Sequence, residues 1–308
     1  MTSPKLVPAR RASRLPRKLF LIAALAAAGL VPPAGAQSSA AAPSPEVMRG
    51  RVERMIANTH RNDAAIEEYE RVERWIERRG EKDPQVRLDK TYRVVPTGTG
   101  TLKVILKENG QAVAPEYYRD ELRQLAQVLE WALHPAEPKQ KARVEKWKKR
   151  TADRYQAVEA FRDAYTVAWL GQEMLEGRAL VKIHFEPKPD YQAHSIGTDL
   201  LSNSRVTVWL DGQAQVVRLE AELVRDMAFG GGLLGKIYKG GRVTIDQFEV
   251  APGLWMPRTT RYQVKGRKFL FPEEQWRSGE AGDYRRVGPP REALPLVRAE
   301  LSGLDHPS

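Results

Sequence analysis

The chain has 308 residues, 42% hydrophobic and 29% charged, enough apolar material for a buried core and too much for a globally disordered chain. Cysteine is absent, which excludes disulfides, a thiol nucleophile, thiolate metal sites and lipid attachment to an N-terminal cysteine. The formal charge of +11 would fit an acidic partner, but its distribution along the chain argues otherwise.

Residues 1–36 have the layout of a secretory signal peptide. Lys5, Arg10, Arg11, Arg14, Arg17 and Lys18 make a positive start without one acidic residue. An apolar run from Leu19 to Val31 follows, short for a bilayer span, and Ala34-Gly35-Ala36 supplies the small residues of a cleavage site before Gln37. A retained membrane anchor is the alternative. Arg10-Arg11 is followed by Ala12-Ser13 rather than by the apolar residues of a twin-arginine signal, so the general secretory route and a periplasmic, unanchored protein are expected. Removing these six cations leaves 44 basic against 39 acidic groups, a charge of +5. Export also takes the chain away from nucleic acid, which is not expected as a partner.

Residues 37–45 (QSSAAAPSP) form a small, polar linker. A helix is predicted from Pro45 to about Thr59, with Val52, Met55, Ile56 and Thr59 on one face and the polar run Asn58–Asp63 ending it. Between Ala64 and Arg79 the pattern fits a helix or a strand, and the strand is preferred. Thr91–Val95 and Leu102–Leu106 are strands, the second leading to the hairpin turn Asn109-Gly110. Helical period returns at Pro115 with Tyr118, Leu122, Leu125, Leu129 and Ala132, and a second helix is predicted over about 141–161. Beyond it, strands are expected at 164–170, 180–185, 206–210, 215–224, 242–250 and 259–264. Proline and charge rise from Pro272, and residues 288–308 are expected as a loosely ordered tail. This order of elements implies an α+β fold, a large curved and incompletely closed antiparallel β-sheet with helices packed on its concave face. The folded domain is expected over 46–287, with a helical insertion at about 115–163.

Residues 164–271 resemble the outer-membrane lipoprotein-sorting family, whose best-known member is the periplasmic lipoprotein carrier. The matching segments are Leu170-Gly171-Gln172-Glu173, Glu176-Gly177-Arg178, Val208-Trp209-Leu210-Asp211, Val217-Arg218-Leu219-Glu220 and Gly253-Leu254-Trp255-Met256-Pro257. The resemblance implies a curved open sheet with helices plugging its concave side, and an apolar cavity between them for acyl chains or another hydrophobic ligand. The helices at 115–161 are a larger insertion than a dedicated carrier needs. No arginine here matches the carrier's functional one, and no family site residue is carried across.

Local motifs for catalysis are absent. Gly230-Gly231-Gly232-Leu233-Leu234-Gly235-Lys236 has P-loop spacing, but Ile237 stands where a magnesium-binding Ser or Thr is required. Read instead with Met227 and Phe229, it is a loop or an apolar flap at a cavity mouth. His184, Glu186, Asp190 and His194 cluster without the spacing of a compact metal motif, and no G-x-S-x-G elbow occurs. No catalytic residue, metal or cofactor is therefore expected. The basic stretch 139–150 (KQKARVEKWKKR), with Trp147, is a solvated helix face or a contact for anionic lipid or an acidic partner.

The expected function is non-enzymatic binding or carriage of a lipid, lipoprotein or other hydrophobic, acyl-bearing ligand in the cell envelope. Candidate cavity or lid residues are Phe185, Trp209, Phe229, Leu233, Leu234, Phe248 and Trp255. An apolar void of several hundred Å³ between sheet and helices should then exist. The alternatives are an envelope protein-interaction scaffold without a lipid ligand and, behind it, an unrecognised hydrolase.

Overall fold

The structure, a computed structural model, describes residues 42–305 apart from 135, 230–232 and 270. The expected signal peptide, most of the expected linker, the glycines Gly230–Gly232 and the last three residues of the expected tail lie outside the described residues.

The chain opens with α1 (Pro45–Ala65), started by Pro45 in its first turn and by Ser44, whose hydroxyl accepts from the Val47 N–H at 3.3 Å. The polar run Asn58–Asp63 does not stop this helix, because those side chains have partners. Asn58 donates to the Gln213 carbonyl (2.9 Å), Arg61 to the Gly253 carbonyl (2.9 Å) and Asn62 to Gln215 (3.1 Å). After a 3₁₀ turn at Ile66–Glu68 come β1 (Tyr69–Arg78), β2 (Val86–Pro96), β3 (Thr101–Glu108) and β4 (Gln111–Ala112). The helices α2 (Pro115–Ala132) and α3 (Pro138–Glu159) follow, then the meander β5 (Tyr165–Leu175), β6 (Arg178–Pro187), β7 (Ser204–Leu210) and β8 (Val216–Leu223). Within that meander, α4 (Ile196–Ser202) starts on a Ser195/Thr198 capping box, a helix not expected from the pattern. The chain ends with β9 (Met227–Phe229), β10 (Gly235–Ile237), β11 (Arg242–Ala251), β12 (Leu254–Lys268), β13 (Phe271–Arg286) and α5 (Pro290–Asp305).

The architecture is α+β, with thirteen antiparallel strands among the described residues forming an open sheet. The order runs β4-β3-β2-β1-β13-β12. Both β11 and the small β9–β10 hairpin pair with the far side of β12, at successive stretches of its length. The meander β5-β6-β7-β8 joins where the Leu223 N–H donates to the Gly241 carbonyl (2.8 Å) and the Gly240 N–H to the Leu223 carbonyl (2.7 Å).

Two apolar cores lie at opposite ends of this sheet. In the first, Val52, Met55 and Ile56 of α1 and Phe161 after α3 pack on Ile183, Phe185, Val206 and Val208. In the second, Leu122, Leu125 and Leu129 of α2 and Leu294 and Val297 of α5 enclose Val95 and Val104. Side chains alternate along a strand, and the strand registers carry that alternation across the sheet. Val95, and Val104 opposite Arg93, look toward α2 and α5. Tyr92 and Glu73 look the other way, toward the side that α1 covers over β5–β8.

Two departures from expectation lie at the C-terminus. Residues 271–286 form the long strand β13, in which Glu274, Arg277 and Arg285 meet opposite charges on neighbouring strands. Residues 290–305, expected as a loosely ordered tail, form α5, whose stripe Ala293, Leu294, Val297, Leu301 and Leu304 completes the second core. Pro295 inside it forgoes one helix hydrogen bond and does not end the helix.

Candidate functional site

The face of the central strands carries charge and aromatic rings, with Val243 and Ile245 of β11 packed beside Tyr262 and Trp75. In β1 (YERVERWIER), alternation puts Arg71, Glu73, Trp75 and Glu77 on one side. The registers set Glu73 beside Tyr92 and Ala281, Trp75 beside Gly279, Glu77 beside Arg277, and Arg277 beside Tyr262.

Glu73, 9% exposed at its side chain, is the hub. One carboxylate oxygen accepts from the Arg71 guanidinium at 2.8 Å. The other accepts from Trp75 Nε1 at 2.8 Å and pairs with Lys103. Burial alone would raise the Glu73 carboxyl, but Arg71, Lys103 and these hydrogen bonds outweigh it and hold it below the usual carboxylate value. The indole of Trp75 lies between two cations, Arg277 at 5.0 Å and Lys103 at 5.4 Å from its ring centre. Gly279 makes this possible. A Cβ there would sit 2.7 Å from the indole carbons, so only glycine lets the ring lie across β13. Arg277 also donates to the Tyr262 hydroxyl at 3.2 Å, and burial raises that phenol.

Next to this cluster is a cavity of about 100 Å³ lined by Ile66, Trp75, Pro257, Thr260 and Tyr284 together with Arg71, Glu73, Arg258 and Glu280. Arg71 spends Nε and Nη2 on Glu73, while Nη1 is buried without a hydrogen-bond partner. Tyr284 donates its hydroxyl to the Pro257 carbonyl at 2.7 Å, and burial raises its pKa. Apolar and aromatic side chains thus share this lining with the charged residues Arg71, Glu73, Arg258 and Glu280, and the Arg71 guanidinium keeps one buried donor without a hydrogen-bond partner.

The seven residues expected around one cavity do not converge, and the large void expected between sheet and helices is filled. Phe185 is fully buried, edge-on to Phe161 (5.0 Å, 86°) and Tyr165 (5.7 Å, 78°) beneath α1. Trp209 alternates to the opposite side of its strand, between Lys182 (4.7 Å) and Arg218 (5.6 Å), with its N–H on Glu173. Trp255 is buried beneath Arg178, 5.3 Å from its ring centre. Phe248 comes nearest to the cavity, with its ring 5.8 Å from that of Tyr284. Phe229 ends β9, and Leu233 and Leu234 are 79% and 58% exposed beside β10. The physical reason is that aliphatic residues of α1 fill the space under β5–β8.

His184 bonds Glu186 (3.1 Å) and Thr207 (3.0 Å) along the strand surface, and no group of three metal-ligating side chains occurs among the described residues. Lys236, last residue of the glycine-rich pattern, pairs with Asp226 at 2.7 Å. Sequence reasoning missed Arg71, Glu73, Trp75, Lys103, Arg277 and Tyr284. The available signal was a strand with charged or aromatic residues at every second position, a pattern that hides a functional face when read only for apolar periodicity.

No family model and no curated protein matches the chain. Among solved structures, one likeness is to a domain described as an outer membrane lipoprotein-sorting protein domain from Vibrio parahaemolyticus, with a TM-score of 0.33 and 10% identity, covering 76% of this chain and 92% of that one. Another is to a DUF1329 family protein from Desulfovibrio piger, with a TM-score of 0.27 and 11% identity, covering 77% and 93%. A third is to the MucA/MucB complex of Pseudomonas aeruginosa, at 0.19 and 8%, covering 76% and 94%. The first carries the name of the family that residues 164–271 resemble. At these scores the backbones diverge over much of their length, and the function rests on the geometry of this chain. Among the described residues no helix is long and apolar enough to cross a membrane.

Proposed function

We propose that the chain is an exported, non-enzymatic binding protein or carrier that holds an acyl-bearing, anionic ligand against the Trp75–Tyr284 face of its open sheet. The observation that carries this reading is the pairing of apolar and aromatic lining residues with an unspent guanidinium donor of Arg71. An alkyl segment laid on Trp75, Tyr284, Ile66 and Pro257 leaves water at about 0.8 kcal/mol per methylene. A carboxylate or phosphate oxygen at Arg71 Nη1 would satisfy a donor whose burial otherwise costs about 1–3 kcal/mol. The cavity is smaller than the roughly 300–1,000 Å³ of ligand pockets. In this reading it takes the end of a chain, and the remainder lies along the open strand face. Binding suits the site better than catalysis, because the cations around Glu73 keep it ionised, far from the near-neutral pKa of a general acid or base.

One observation favours a second reading. The sheet face under α1 is solidly packed, which suits an envelope interaction scaffold with no lipid ligand. Native mass spectrometry of the protein recovered from the periplasm without detergent separates the two. The carrier reading expects about one equivalent of a lipid or acylated peptide, with occupancy lowered severalfold in Trp75→Ala and Arg71→Gln. An apo mass that persists after incubation with lipid would overturn it in favour of the scaffold.

A further inference from the structure

Two edge strands of the sheet are unlike. Strand β4 is two residues long and lies beside Lys103 and Lys107 of β3, a short and charged edge that discourages pairing with another chain. Strand β5 is eleven residues long, and its one charged residue is Glu173. That carboxylate is already held by Lys182 at 3.0 Å and by the Trp209 N–H at 3.1 Å. No strand or loop among the described residues bonds to the outer main-chain groups of β5.

The pairing with β6 fixes which of those groups point outward. The Ala164 carbonyl accepts from the Lys188 N–H at 2.9 Å, so the main-chain groups of Thr166 and Ala168 face β6 in turn. The bulge between Trp169 and Gly171 then shifts the alternation by one residue. Beyond it, Gly171, Glu173 and Leu175 face Lys182, Leu180 and Arg178, and the N–H and C=O of Gln172 and Met174 point away from the sheet. The side chains of this stretch are open as well. Leu170 is 43% and Met174 66% exposed, and Gln172 between them is exposed.

The stretch is complementary to itself. With Gln172 on a two-fold axis, antiparallel pairing sets Leu170 against Met174 of a second copy and Met174 against Leu170 of that copy. The two Gln172 side chains meet on the axis, and each amide offers both a donor and an acceptor. Glu173 falls opposite a glycine, Gly171 of the second copy, so no like charges are opposed. Each copy supplies the main-chain donors and acceptors that the other lacks.

We propose that β5 is a self-association edge, along which two copies of this chain pair antiparallel about Gln172 and join their sheets. The inference is independent of what the Trp75–Tyr284 face binds. The bulge confines the pairing to Leu170–Met174 of each copy, a length of about 16 Å, so the dimer is weak and depends on concentration.

The chain has no cysteine, so Gln172→Cys introduces a single thiol. Facing residues of a hydrogen-bonded antiparallel pair lie about 5.5 Å apart at Cα, inside the range of a disulfide. Mild oxidation of the protein recovered from the periplasm should therefore link Gln172→Cys into a dimer. It should do so at least about tenfold faster than Thr166→Cys, an exposed position on the same strand outside the paired stretch. Sedimentation equilibrium of the parent should show monomer and dimer in exchange. The association should weaken at least about tenfold in Leu170→Lys/Met174→Lys, which opposes like charges across the axis, and in Met174→Pro, which removes an outward N–H. These changes leave the β6 pairing intact, so both variants should keep the parent's thermal midpoint, measured on the same samples. A parent that stays monomeric as its concentration rises, crosslinking at 172 no faster than at 166, or a dimer untouched by both variants would overturn the proposal.

Discussion

Glu73 shows how one residue sets the character of the central face. Its carboxylate is nearly buried and is held by Arg71, Lys103 and the Trp75 N–H, so its pKa in the folded chain lies below that in the unfolded chain. The stabilisation it contributes is therefore complete above the unfolded value of about 4.3 and is lost as pH falls through the folded value. Glu73→Gln should cost roughly 2–3 kcal/mol at neutral pH, less than for a fully buried pair because Lys103 is 42% exposed. Below about pH 4.3 the parent should lose stability faster than the variant, so urea midpoints of the two should converge on acidification. Parallel curves would show that Glu73 is not the titrating group. The residue types here were plain in the sequence, but their convergence was not. Glu73, Lys103 and Arg277 lie on three strands, and no local spacing brings them together.

At the scale of elements, α5 carries the largest difference between pattern and structure. Proline at 289, 290 and 295 and the charges around them read as an untidy end, yet Leu294 and Val297 are buried against α2. Leu294→Ala should destabilise by about 2–4 kcal/mol, as for a core leucine. Leu296→Ala, at a residue 46% exposed on the same helix, should stay within about 0.5 kcal/mol. Denaturant unfolding of both variants checks the contrast, and equal effects would contradict the packing described. The elements read most easily were those with unbroken periodicity, α2 and the strands β6 and β7. Those read poorly, α4, β13 and the C-terminal turn of α1, depend on caps or on charges satisfied by distant partners.

For the whole molecule, the decisive contact is between β1 and β13, whose paired residues lie about 200 positions apart in the chain. This pairing ties the β2–β4 end, with α2, to the strands beyond β12. Truncation after Lys268 removes both β13 and α5, leaving β1 and β12 without their shared partner and the second core open. The truncated chain should show no single cooperative transition in urea by circular dichroism. A sharp transition with the strand signal retained would mean that the two ends of the sheet fold independently. So non-local a closure also implies slow folding, since the loop between the strands must be ordered before their contacts form.

By itself the sequence determined the fold class, the absence of thiol chemistry and the positions of the elements whose apolar repeats are unbroken. Those properties depend on composition and on neighbours within a few residues. Only the tertiary structure decided which cavity is filled and which is open, that the predicted aromatics scatter over two sides of the sheet, and that the charges of β1 form one cluster. The reason is the pairing order. A β-strand's side chains are sorted by alternation, but their partners are chosen by strands that arrive from far along the chain.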